Sequence, residues 1–250
     1  MLKGINDISF LSAFKMIFSG IAISIATPNR MGEFAGRVLY LPSGTRLQGT
    51  ACTVIGNFSQ LIITCLAGSI ALVMERHDQH IRIAQKGMEE VQYLLLWLSP
   101  LAMVFFLLLY FKAGPIFNKV MSFRLLQRLG NGLSEMKSVS NPVLLRVLLL
   151  SGFRFFLFIL QYWLLFDIAG TGIDFRDAFV AVSIMLLWLA IIPTFSFLEL
   201  GLRWEFAILL MASLTSNTLG IAISVTAVWF INLILPAAVG AIVLFFYRQR

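Results

Sequence analysis

Two segments of this chain carry the same charged pair downstream of a proline. Pro28 is followed by Glu33 and Arg37, and Pro193 is followed by Glu199 and Arg203. In both, the arginine comes four residues after the glutamate, the favourable order for a pair on one helix face, so each pair can neutralise itself where water is scarce. Arg30 adds a cation between Pro28 and Glu33, and Arg154 stands near the centre of the apolar stretch 143–166. A guanidinium fork suits bidentate binding of phosphate, and a carboxylate can hold that fork or accept a cationic amine. The candidate substrate-binding set is therefore Pro28, Arg30, Glu33, Arg37, Arg154, Pro193, Glu199 and Arg203. Its predicted chemistry is recognition of a phosphate-bearing group in low-dielectric surroundings. The two histidines, His77 and His80, fall in a charged stretch predicted to be a solvated loop. There is no Ser/His/Asp set and no cluster of metal-ligating residues, so no enzymatic activity, cofactor or metal is expected.

The elements that must position these groups are apolar. Of the 250 residues 59% are hydrophobic and 12% charged, with a mean hydropathy of +0.90. A soluble domain carries about twice that share of charge, so the composition excludes one and predicts an integral membrane protein. Disorder and a disulfide scaffold are excluded as well, since aromatic residues are plentiful and only Cys52 and Cys65 are present. Those two stand about 20 Å apart along a helix at 1.5 Å per residue and read as small buried residues. The net charge of +7 is assigned to cytoplasmic loops rather than to nucleic-acid binding.

Hydrophobic segments are predicted at about 8–26, 50–74, 91–111, 143–166, 178–192 continuing to 214, and 219–247. Lys15 interrupts the first and is assigned to the interface, while the second is polar in its first half through Asn57 and Gln60. Pro100 is a predicted kink. The 112–142 connector holds Lys112, Lys119, Arg124, Arg128 and Lys137 against the single acid Glu135, and part of it is predicted to lie as an amphipathic helix on the membrane surface. Its five basic residues, against three in 75–90 and one in 167–177, place it and the C-terminus on the cytoplasmic side. No signal peptide is predicted. Ser151, Arg154 and Gln161 share one face of their helix, which directs a polar stripe inward, and an intramembrane charge is a functional hypothesis in its own right.

Each proline motif is predicted to be a helix that stops within the membrane, turns and restarts. Broken helices persist at that depth only where protein or a water-filled cavity covers the freed backbone groups. Three full crossings separate the two motifs, and an odd number delivers the second from the opposite side. The expected fold is thus all-α, a polytopic bundle with two re-entrant helices in an inverted repeat, a single transmembrane domain over 1–250 with halves at about 1–111 and 143–250.

At these motifs the chain resembles the membrane region of lysylphosphatidylglycerol synthases and the related stand-alone flippase-like proteins. The first family motif, Pro, a few residues, Gly-Glu, then a basic residue, is matched by Pro28, Gly32-Glu33 and Arg37. The second is matched by Pro193, Glu199 and the following Gly201, with Thr194-Phe195-Ser196-Phe197 where the family commonly has a Gly-Gly turn. The resemblance covers nearly the whole chain in order and spacing. It implies translocation of a phospholipid or polyprenyl-linked head group across the inner membrane. It also implies a chain short of one or two N-terminal spans, and no synthase activity, since the transferase domain of the larger synthases is not represented. The expected partner is a membrane phospholipid or polyprenyl-linked lipid, with a homo-oligomer left open and no nucleic acid expected. With no Gly-Lys-Ser/Thr motif, movement is expected to be passive or driven by an ion gradient. The rival expectation is a non-transporting membrane subunit that scaffolds a lipid-modifying or glycosyltransferase partner through the basic connector.

Overall fold

The computed structural model describes residues 8–27, 31–42, 45–78, 88–112 and 140–248. These are all-helical with no strand. In chain order the helices are α1 (Phe10–Ser24), α2 (Gly32–Val38), α3 (Arg46–Asp78), α4 (Met88–Phe111), α5 (Asn141–Ile168), α6 (Phe175–Ile191), α7 (Ser196–Met211) and α8 (Thr218–Trp229). A π-helical turn, Phe230–Ile234, joins α8 to α9 (Leu235–Arg248).

Among the described residues, four helical stretches are long and apolar enough to cross a membrane: Gln48–His77, Leu94–Phe111, Asn141–Ile168 and Thr218–Phe246. Their outward faces are apolar too. Trp97, Leu101, Leu149, Leu150, Phe153, Phe245 and Phe246 are all exposed, an area far larger than a soluble protein leaves to water. Lipid is the natural cover for it.

The core centres on α6, which carries Ala178, Val180, Ala181, Val182, Ser183, Ile184, Met185, Leu187 and Trp188, all buried. A helix apolar all round belongs inside a bundle, and α6 packs against α3, α5 and α7. Asp174 caps its start, its carboxylate accepting the Asp177 backbone N–H at 2.7 Å. Pro193 ends it, because the ring disfavours the helical conformation for the preceding residue, and Ile192 is extended at φ −94° and ψ 109°. The chain restarts as α7 after Phe195.

The N-terminal helices form an antiparallel hairpin in which α1 packs against both α2 and α9. Its arms touch backbone to backbone, since a Cβ on Gly36 would lie 2.5 Å from Gly20 Cα. The Thr27 hydroxyl clips the hairpin end by donating to the Ser24 carbonyl at 3.1 Å and accepting from Gly32 N–H at 2.7 Å. Polar clamps tie α3 to its neighbours: Ser69 donates to Ser99 on α4 at 2.8 Å. Ser59 donates to the Tyr110 hydroxyl at 2.7 Å, and that hydroxyl donates to the Leu144 carbonyl of α5 at 3.0 Å. Such bonds and small-residue contacts hold helices together where apolar surroundings remove the hydrophobic drive.

One detail differs from the sequence reading: His77 lies in the last turn of α3 rather than in a loop, because the helix continues past the apolar stretch; it is exposed. Pro100 lies inside α4. The last apolar stretch forms one candidate span, Thr218–Phe246, and carries a π turn within it. The amphipathic helix expected within 112–142, most of the 75–90 loop and His80 lie outside the described residues.

Candidate functional site

Both Glu/Arg pairs form, each on the second arm of a helix–break–helix hairpin. Glu33 is in the first turn of α2 and Arg37 in its last; Glu199 is in the first turn of α7. Each carboxylate thus sits at the positive end of its helix, with the arginine one turn on. Glu33 and Arg37 are bonded side chain to side chain. The second pair is more buried, with side-chain exposures of 13% for Glu199 and 9% for Arg203 against 18% and 23% for Glu33 and Arg37. Arg203 donates to Glu199 Oε1 through Nε at 3.1 Å and Nη2 at 2.5 Å. Its Nη1 donates to the Tyr162 hydroxyl at 2.8 Å, and Tyr162 is fully buried.

A cavity of about 220 Å³ lies beside this pair. Gln60 and Thr64 of α3, Arg154 and Phe158 of α5, Ala190 at the end of α6, and Glu199 and Arg203 of α7 all line it. Arg154 is exposed at this cavity in the middle of α5. Three of the candidate residues from distant parts of the chain, Arg154, Glu199 and Arg203, therefore meet at one opening. The space suits a head-group fragment rather than a whole lipid, whose tails would stay outside.

Arg37 lines a different cavity of about 200 Å³, with Met16 and Ile17 of α1, and Gly49, Cys52 and Thr53 of α3. Four of the eight candidates thus line these two openings, Arg37 the one and Arg154, Glu199 and Arg203 the other, rather than gathering in a single groove. Pro193 marks the break at the end of α6 without lining the second cavity's described wall. Pro28 and Arg30 lie outside the described residues. The Ser151/Arg154/Gln161 stripe also divides: Ser151 is buried, and Gln161 accepts from Asn232 Nδ2 of the π turn at 2.7 Å.

Sequence reasoning missed Tyr162 and Thr64. Tyr162 gave little signal, being one aromatic in a Phe-rich helix. Thr64 could have been found, since it follows Gln60 by one helical turn on the same face. The cavity offers guanidinium, carboxylate, amide and hydroxyl groups, which together can hold a phosphate and an attached polar group. No family profile, characterised protein or solved structure matches this chain.

Proposed function

We propose that this chain moves phosphate-bearing lipid head groups between the leaflets of a membrane, the tails remaining in the bilayer. The single observation that carries the reading is the cavity lined by Arg154, Glu199 and Arg203 beside the break that follows α6. An arginine in the centre of an apolar helix is costly and marks a functional position, and the opening beside Arg154 gives a phosphate, the ligand a guanidinium fits best, room to reach it. Arg154 is the contacting group in this scheme, and Arg203 is held in place by Glu199 and Tyr162.

Support for a half-crossing comes from depth. Gly68 faces Leu187, and Gln60 and Thr64 face Ala190, so α6 runs antiparallel to α3 and ends near the middle of the Gln48–His77 stretch. At 17 and 16 residues, α6 and α7 are each about 25 Å long, shorter than a hydrocarbon core of about 30 Å. In the proposed arrangement α6 and α7 re-enter from outside and the α1/α2 hairpin from the cytoplasmic side of the inner membrane, as an inverted repeat. The C-terminus and the 112–142 connector then face the cytoplasm.

The scaffold reading draws on one observation, the closed Glu199–Arg203–Tyr162 network, which has the look of architecture. Arg154 speaks against it. The test is reconstitution into liposomes carrying NBD-labelled lipids, with dithionite quenching to follow exchange between leaflets. The wild-type protein is expected to accelerate exchange. Arg154→Leu is expected to keep the wild-type melting temperature and lose the acceleration. Equal exchange by a well-folded Arg154→Leu protein would leave the scaffold reading in possession.

A further inference from the structure

The two arginine openings share one helix. Thr53 lines the Arg37 cavity, and Gln60 and Thr64 line the Arg154 cavity. At about 100° per residue, Thr53, Asn57, Gln60 and Thr64 fall within roughly 60° of arc on α3. Asn57, between the cavities, is exposed. The gap is short, since Thr53 to Gln60 spans about 10 Å at 1.5 Å per residue. One turn past Thr64 the same face becomes small and closed: a Cβ on Gly68 would lie 2.8 Å from Leu187, and Ala71 is fully buried. The face is therefore polar between the two cavities, with Asn57 exposed, Gln60 half-buried and Thr53 and Thr64 buried at the cavity walls, and it is apolar where α6 covers it.

We propose that the Thr53–Asn57–Gln60–Thr64 face of α3 is a hydrated polar track that joins the two arginine openings and carries a phosphate-bearing head group between them. The head-group assignment rests on the translocation reading above; the hydration of the track does not. An exposed amide in the middle of an apolar helix loses its hydrogen bonds to lipid unless water or a polar ligand replaces them. An anion leaving one arginine needs the same replacement over those few turns. The uncharged amides of Asn57 and Gln60 supply it without the tight hold of a third cation, so the head group can pass on; the Thr53 and Thr64 hydroxyls already donate to the Gly49 and Gln60 carbonyls.

The experiment has two arms. In a Cys52→Ser/Cys65→Ala background, Asn57→Cys and Leu66→Cys are reacted with a membrane-impermeant sulfonated thiol reagent; Leu66 is exposed and lies about 180° around the helix from Asn57. The track requires Asn57→Cys to react and Leu66→Cys to stay inert. In the second arm, Asn57→Leu/Gln60→Leu is compared with wild type in liposomes bearing NBD-phosphatidylglycerol or an NBD-labelled polyprenyl phosphate, which separates the two sources of phosphate. Leucine is a strong helix former, and Asn57 is exposed and Gln60 half-buried, so the variant keeps its melting temperature. Its exchange rate for the lipid that moves is expected to fall about tenfold or more, the loss of a hydrogen bond to a charged group. An Asn57→Cys site as inert as Leu66→Cys, or an Asn57→Leu/Gln60→Leu protein exchanging at the wild-type rate, overturns the track while leaving translocation intact. A reactive Asn57→Cys site in a protein that moves neither lipid overturns the head-group assignment and leaves the track standing.

Discussion

Arg203 and Arg37 are the same residue type at the same spacing from a glutamate, yet their surroundings set different energetics. Arg203 is bonded to Glu199 and Tyr162 in a largely closed site, whereas the Arg37 and Glu33 side chains are more exposed. Removing either member of the buried pair strands a charge, at a cost of about 3 to 5 kcal/mol. Glu199→Leu and Arg203→Leu should each lower the melting temperature in detergent sharply, and the double variant should recover much of the loss. The same cycle at Glu33 and Arg37 should give smaller losses, since partial exposure lets water solvate the stranded group. Tyr162→Phe removes one hydrogen bond to a charged group and should cost about 1.5 to 3 kcal/mol. Single variants as stable as wild type at Glu199 and Arg203 would mean the site is wet enough to screen the pair.

At the scale of elements, the α1/α2 hairpin depends on three glycines, Gly20, Gly32 and Gly36, that let its arms touch. Gly36→Val would drive methyl groups into the Gly20 backbone and should unseat α2, carrying Glu33 and Arg37 with it; melting temperature and detergent-resistant expression should both fall. Gly56 on α3 is the control, because nothing lies within 4 Å of the Cβ it would gain. Gly56→Ala should be neutral or stabilising by about 0.5 to 1 kcal/mol, the usual gain for alanine in a helix. The break after α6 was legible in the sequence because Pro193 acts on its own neighbour Ile192, and the charged pairs because helical spacing is local. The central place of α6 was not. Its residues are as apolar as those of α4 or α5, and since lipid and protein interior are equally apolar, composition does not separate a core helix from a lipid-facing one. The same holds for Gln161, whose partner Asn232 lies on a distant turn that no local pattern marks.

For the whole molecule, the proposed inverted arrangement makes the two hairpins open on opposite sides. Pro42→Cys and Ser216→Cys, both at exposed positions beside a hairpin's open end, should be labelled from the cytoplasm and from outside respectively in intact cells. Labelling from one side only would end the inverted-repeat model. The last apolar stretch serves two sets of partners: α8 packs on α5 and α7, while α9 packs on α1. Gly240 is where that second contact is tightest, since a Cβ there would lie 1.9 Å from the Phe18 carbonyl oxygen. Between them sits the π turn Phe230–Ile234, which amounts to one residue inserted into an α-helix. Its consequence is angular: the turn sets the phase of α9 relative to α8, as a key fixes one wheel on a common shaft. Deleting Ile231 should restore plain α-helix, because the wider turn has already absorbed the extra residue, and so leave Gly240 seated on α1 with the melting temperature kept. Inserting one alanine between Leu235 and Val239 in the wild-type chain has no such turn to absorb it; it should swing Gly240 off α1 by about 100° and lower the melting temperature.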